Sequence, residues 1–424
     1  MIMAGQETPA RRRAIVAWCL YDWANSAFPT VVVTFVFAAY FTKGIAADPV
    51  TGTAQWGWAM SLSALAVAIM GPVLGAIADA GGRRKPWLSL FTMAAALGAA
   101  TLWWSRPEAD AVLLTLIVVG IANFAFEMGM VFYNAMLPDL VPRARLGRTS
   151  GWGWGVGYFG GLTCLGAALL LLVQAETPIL GLDKQAAEHL RATGPMVALW
   201  YAVFSLPLFL LTPDKESSGI GYTAAIRDGV GTLARTLRNL GKYRNAAWFL
   251  LARMTYTDGL ATLFAFGGIY AAGTFGMEFE ELILFGIALN VTAGLGAFGF
   301  GWLDDRLGAK RVIFIAVGGL ALLGTALLLA PTKFWFWIFG LPLGIFVGPA
   351  QSASRSMLAR LAPDDMRTEF FGLYAFSGKA TAFLGPAVLA AVTAATGNQR
   401  WGMATILVFC IVGMALLAKV PTAR

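Results

Sequence analysis

Five ionisable side chains stand inside long apolar runs: Asp22, Glu127, Arg253, Asp258 and Lys379. A charge at the centre of a membrane-spanning helix costs roughly 3 kcal/mol on insertion scales, so each is expected to face a polar cavity or a partner rather than lipid. In Tyr21-Asp22-Trp23-Ala24-Asn25-Ser26-Ala27-Phe28, the acid Asp22, the amide Asn25 and the hydroxyl Ser26 share one helical face. Asn123, Glu127 and Asn134 repeat that amide and acid pattern farther along. Arg253 and Asp258 lie about 140° apart around a helix, so each is expected to find a partner on another element. Two chemistries suit such groups. Intramembrane carboxylates carry protons or bind cationic groups, and a site of both signs suits a zwitterion whose ammonium meets Asp22 or Asp258 and whose carboxylate meets Arg253 or Lys379. The plainer reading is that the charges pair to hold helices together, Arg253 with Glu127 or Lys379 with an acid. Trp23, Tyr133, Tyr256 and Trp152-Gly153-Trp154 are the aromatic residues expected to shape a site, the other Phe and Trp side chains being mostly lipid-facing or interfacial.

The elements that position these groups follow from composition. With 424 residues, 58% apolar and 13% charged, and a mean hydropathy of +0.69, the chain is a polytopic membrane protein. Its apolar stretches run about 18 to 28 residues, the length of spanning helices that satisfy their own backbone hydrogen bonds, whereas a barrel would alternate over about ten residues. The fold class is all-α. Arg11-Arg12-Arg13 looks like the start of a signal peptide, but the apolar run behind it is too long and lacks a small-residue cleavage site, so it reads as a retained first helix. Cys19, Cys164 and Cys410 sit in apolar runs with neither disulfide nor metal-ligand spacing, and His189 lies in a polar loop without a second ligand. No metal or cofactor is expected. A phosphate-cradling Gly-Lys-Ser/Thr loop and a Ser/His/Asp or Cys/His set are both missing from the sequence, which argues against ATP-driven transport and against an enzyme.

Spans are expected near 14–42, 55–80, 86–104, 110–137, 150–174, 195–212, 246–272, 279–303, 310–330, 333–358, 370–395 and 399–419, twelve in all. One set of connections collects Arg11 to Arg13, Arg83-Arg84-Lys85, Arg143, Arg145, Arg148, the 213–245 loop, Arg306, Lys310-Arg311, Arg355, Arg360, Arg367, Lys419 and Arg424. The other set holds few basic residues, so the positive-inside rule puts both termini in the cytoplasm, and the net charge of +8 is a topology signal rather than a sign of nucleic-acid binding. The longest polar interruption, 213–245, divides the chain into 1–212 and 246–424, each with six spans. Within it Ile226, Val230, Leu233 and Leu237 recur at helical spacing with Arg227, Arg235 and Arg238 on other faces, the pattern of an interfacial amphipathic helix.

The two halves repeat. Gly75-Ala-Ile-Ala-Asp79-Ala-Gly-Gly82-Arg-Arg84-Lys85 and Gly301-Trp-Leu-Asp-Asp305-Arg306-Leu-Gly308-Ala-Lys310-Arg311 both fit G-x-x-x-D-x-x-G-x-[RK]-[RK]. Met136-Leu137 and Met357-Leu358, Pro142 and Pro363, Gly151 and Gly372, and Gly157 and Gly378 keep one offset of 221 residues, while Asp22 matches Asp258. Two six-helix halves in parallel arrangement build secondary transporters. The duplicated loop resembles the signature of the major facilitator superfamily, its first copy departing only at Ala80, where a basic residue is usual. Tyr21 to Phe28, Ala252-Arg253 with Asp258-Gly259, Ala265 to Tyr270, and Gln351 through Ser354-Arg355-Ser356 to Phe370-Phe371-Gly372-Leu373-Tyr374 resemble the vacuolar amino-acid effluxers, whose bacterial members form the unknown major facilitator family.

The resemblance implies a twelve-helix major facilitator fold in which spans one, four and seven line a central cavity. It also implies that Asp79 and Asp305 brace a helix N-terminus and an Arg to hold one state, with the basic residues behind them anchored at headgroups. The proline of the superfamily's antiporter signature is absent from span five, which leaves antiport unsupported. The expected function is a secondary active transporter of a small polar solute by rocker-switch alternating access, with amino acids as a fitting solute and protons as a fitting coupling ion. Sugars, drugs or other metabolites are alternative cargo, and a transport-inactive scaffold or receptor is the alternative of another class. The expected setting is a multi-pass monomer in a lipid bilayer, the bacterial inner membrane.

Overall fold

The computed structural model describes residues 8–421, so Arg424 lies outside the described residues. Every regular element among them is a helix. Eleven segments are long and apolar enough to cross a membrane: Pro9–Ile45, Pro49–Gly81, Lys85–Trp104, Ala111–Leu140, Arg143–Val173, Glu188–Leu211, Glu280–Leu307, Ala309–Leu328, Lys333–Leu361, Arg367–Thr396 and Gln399–Ala418. The remaining expected span is a helix of 32 residues, Arg244–Phe275, whose apolar content is diluted by Arg253, Asp258 and their Thr and Tyr neighbours. In chain order these are spans one to twelve, with Arg244–Phe275 as the seventh.

Spans one and eleven depart most from regular α-helix, and span five closes on a π-helical turn over Leu169–Val173. Span one is α-helical over Pro9–Asn25, then widens into a π-helical turn over Phe28–Phe35 where Pro29 lacks an N–H to continue the ladder. Span eleven is two helices, Arg367–Lys379 and Leu384–Thr396. Pro386 cannot donate to the carbonyl four residues earlier, and the chain across 380–383 closes tighter turns instead, Leu384 N donating to Thr381 O at 2.7 Å.

Contacts divide the chain into two compact units. The first comprises residues up to Val67, Gly82–Val141 and Val156–Gly219; the second comprises Ala68–Gly81, Pro142–Gly155 and everything from Ile220. The first is centred on an aromatic cluster: Tyr133 stacks on Trp18 at 4.5 Å and on Tyr21 at 4.8 Å. The Trp18 indole donates to Tyr133 O at 3.2 Å, the Tyr133 hydroxyl donates back to Trp18 O at 3.0 Å, and the Tyr21 hydroxyl meets Thr92 and Tyr201. Each such aromatic pair contributes about 0.5–1.5 kcal/mol beyond its buried area, and the satisfied polar tips fix spans one, three, four and six. In the second unit Gly340, Gly344 and Gly348 present a small-residue stripe on span ten to Phe285, Thr292 and Ala293 of span eight. Close backbone approach of this kind is how helices associate when lipid and side chains are equally apolar.

The polar interruption does contain a helix, Tyr222–Arg238, and the face it turns inward is offset from its bulky apolar stripe. Ala225, Gly229, Leu233 and Thr236 are buried, whereas Ile226, Val230 and Leu237 are exposed. The reason is steric: a Cβ at Gly229 would run into the backbone of Ile77, so only the small-residue face fits against the end of span two. Ile226, Val230 and Leu237 are left outward, as suits a helix lying at a membrane interface.

Candidate functional site

In the first unit, Asp22 and Asn25 are buried on span one, and the Asn25 amide donates to the Asp22 carboxylate at a long 3.5 Å. Ser26 beside them faces Gly157 of span five, where any side chain would collide with its hydroxyl. Asn123 points elsewhere, its amide donating to Ser63 of span two at 2.9 Å. Glu127 is half-buried and Asn134 buried on the same helix.

The second unit repeats the arrangement with a difference. Asp258 occupies the position of Asp22 and Thr262 that of Ser26, and Gly385 of span eleven is pressed against the Thr262 hydroxyl. Asp258 is 3% exposed and neither carboxylate oxygen accepts a hydrogen bond. Thr381 and the Gly385 amide face it from the break in span eleven, outside hydrogen-bond geometry, so the acid looks into the start of the second half-helix. A helix N-terminus offers unpaired N–H groups and a favourable potential to a carboxylate. One helical turn and a half away, Arg253 is clamped: its Nη1 donates to Tyr374 O at 2.7 Å and to Ser377 Oγ at 2.8 Å, and its guanidinium lies 3.4 Å from the Tyr374 ring centroid. Gly378 leaves the space the guanidinium occupies, and Lys379 ends the first half-helix of span eleven. An acid and a cation thus flank one helix break. Of the aromatic candidates, Tyr133 and Tyr256 are core residues, the latter bonded through its hydroxyl to Ser354 at 2.6 Å. Trp154 lies beneath Arg355 and Trp23 stacks on Trp200.

The duplicated motif is built the same way twice. Asp79 accepts from Thr368 Oγ1 at 2.7 Å and from the Glu369 amide at 2.9 Å, at the first turn of span eleven. Asp305 accepts from the Gly147 amide at 2.8 Å and from Arg148 Nε at 2.6 Å, at the first turn of span five. Gly75 and Gly301 permit the approach, since a Cβ on either would meet the backbone of the facing helix. Gly82 and Gly308 turn the chain with φ of 88° and 86°, a region other residues avoid.

The basic residues of the motif correct the expectation of headgroup anchoring. Arg84 is buried, ion-paired with Asp139 and bonded to Ala135 O at 2.9 Å. Lys85 donates to Phe209 O and Thr212 O at the end of span six, and Lys310 donates to Ala418 O and Val420 O at the end of span twelve. Cations there satisfy orphan carbonyls and oppose the negative end of the helix dipole. Arg83, Arg306 and Arg311 are the exposed members.

The family profile described as Vacuole effluxer Atg22 like matches residues 53–424. The chain belongs to that family. Among curated proteins similar to this Atg22-like chain, the Uncharacterized MFS-type transporter YxiO of Bacillus subtilis (strain 168) is 29% identical over 414 residues, covering 96% of this chain and 94% of YxiO. Autophagy-related protein 22 of Cryptococcus neoformans var. neoformans serotype D (strain B-3501A) is 26% identical over 65% of this chain, which spans only 53% of the fungal protein. A solved structure of the proton:xylose symporter XylE, bound to 6-bromo-6-deoxy-D-glucose, superposes with a TM-score of 0.73 at 14% identity, covering 97% of this chain and 96% of that one. That likeness shows the fold: the Atg22-like chain is a multi-pass integral membrane protein of the major facilitator type, and its relatives are transporters.

Several residues of this Atg22-like site escape a reading by charge inside apolar runs. Thr381 and Gly385 are neutral, and only Pro386 signals the break that brings them to Asp258. Arg148, Arg355 and Arg360 read as topology charges. In the structure Arg355 is buried and donates to Ser150 Oγ at 2.9 Å and Ser150 O at 2.7 Å, and Arg360 meets Asp304 at 2.8 Å.

Proposed function

We propose that the protein is a secondary active transporter that moves a small polar solute by alternating access, with a zwitterion such as an amino acid as the favoured cargo. The observation that carries this reading is the buried, unbonded Asp258 carboxylate facing a break in span eleven that also holds the clamped Arg253 and Lys379. Broken helices at depth in a membrane protein are tolerated where they line a cavity, and ends of half-helices bind charged groups there. Asp22, Asn25, Ser26, Asn123, Glu127 and Asn134 supply the polar groups of the first half. Asp258 and Asp22 are the two acids suited to a proton or an ammonium. The Asp79 and Asp305 contacts act as the gate, holding helix ends together in one state and parting in the other. The basic end of the helices faces the cytoplasm of a bacterial cell, and the monomer is the working unit.

Uptake of a panel of labelled amino acids, sugars and organic ions into proteoliposomes, with and without an imposed pH gradient, tests this. Saturable uptake of a zwitterion that Asp258→Asn abolishes is the expected result. A protein that moves none of the panel under any gradient overturns the transporter reading in favour of a receptor or scaffold.

A further inference from the structure

The two motif contacts share one plan, an acid capping the start of a facing helix, but they differ in the residue beside the acid. The 221-residue offset that relates Pro142 to Pro363 and Gly151 to Gly372 also relates Gly147 to Thr368 and Arg148 to Glu369. At the first copy of this helix start, Arg148 closes a salt bridge to Asp305 at 2.6 Å, with Arg360 a further 3.7 Å from the same carboxylate. At the second, the residue beside Asp79 is itself an acid, and its amide already donates to the Asp79 carboxylate. Glu369 is completely buried, and neither of its carboxylate oxygens has a hydrogen-bond partner.

The groups around Glu369 explain why it is left so. Asp79 faces it from span two and Asp365 from the loop before span eleven, while the 222–238 helix brings Thr236 and Arg235. The Thr236 hydroxyl donates to Thr232 O at 3.1 Å rather than to Glu369, and Arg235 is exposed, bonded to Gly231 O and Thr232 Oγ1 of its own helix. Arg367, two residues away, is paired with Asp364 at 2.7 Å. Gly229 presses this covering helix onto Ile77, keeping water off the acid. A buried carboxylate beside a second one ionises only against strong mutual disfavour, whereas a carboxylate and a guanidinium attract.

We infer that Glu369 is a proton-operated release on the contact between spans two and eleven. Neutral, it stays buried beside Asp79 under the 222–238 helix. When the helix ends part and water enters, it ionises and gives its proton to solvent, and the charge then resists reclosure until a proton returns. The equivalent contact between spans five and eight carries Arg148 in place of this acid. This device rests on the alternating-access reading for its use, but its own test needs no solute.

The test places spin labels at Gly81→Cys, where the added side chain meets open space, and at Pro363→Cys in the loop before span eleven, which leaves the Arg367–Asp364 pair intact, the three native thiols being buried. Electron-electron distances are then recorded between pH about 5.5 and about 9 on the full chain in nanodiscs. The expected result is a short-distance population that gives way to a longer one as pH rises, by up to about tenfold in population ratio per pH unit, the limit for one linked proton. Glu369→Gln keeps the shape without the charge and should hold the short distance at every pH. Glu369→Arg installs the side chain found at position 148 and should do the same. A wild-type distance that ignores pH overturns the inference, as does a pH response that survives in Glu369→Gln. Loss of solute uptake with an intact pH response would count against the transport reading and leave the switch standing.

Discussion

At Asp258 stability and use point in opposite directions. A buried carboxylate without a hydrogen bond costs at least about 1–3 kcal/mol, so Asp258→Asn should melt no lower than wild type in detergent and several degrees higher if the cost is fully relieved. The same variant should lose uptake, because an amide neither exchanges a proton nor offsets an ammonium. A less stable but active variant would refute this assignment. Asp22 differs in having Asn25 as a hydrogen-bond donor, so Asp22→Asn should insert normally and lose transport if the acid binds solute or proton. The five intramembrane charges were legible in the sequence because charge in an apolar run is rare. Their surroundings were not: Thr381 and Gly385 carry no charge, and the burial of Glu369 depends on a helix that covers it from 130 residues away in sequence.

At the scale of elements, hydropathy foretold the spans well, and the irregular stretches poorly. Pro29 and Pro386 mark the departures from α-helix in spans one and eleven, yet a proline in a membrane helix signals a kink, a wide turn or a full break alike, and packing decides which. The 222–238 helix shows the same limit: its apolar stripe marked an interfacial helix, but nothing in that stripe marked the Gly229 face that packs on Ile77. Gly229→Leu should therefore lift this helix from span two. Limited proteolysis within 213–245 should speed up by about tenfold, the effect of losing about 1.4 kcal/mol of protection, while membrane insertion is unchanged. Equal cleavage rates in the two proteins would place the helix off the bundle.

For the whole molecule, Asp79→Asn and Asp305→Asn should leave folding intact and change the accessibility of cysteines introduced on the two sides of the proposed cavity. A contact particular to one state is worth about 1–3 kcal/mol, or about 5- to 150-fold in population. Asp305→Asn should have the larger effect, since it strands Arg148 as well as removing an acceptor, and identical labelling in both variants would remove the gating role. The lysines bound to helix ends carry a separate implication for how the chain can be cut. Lys85 fastens the close of span six and Lys310 the close of span twelve, each inside its own sequence half, and Gly219 leaves its surroundings open at a φ of 75°. A break placed among 217–221 severs neither fastening and keeps the 222–238 helix joined to span seven, where it still reaches both Ile77 and Glu369. Two separately encoded fragments divided there should find one another in the membrane and restore activity, whereas fragments divided after Arg238 should not.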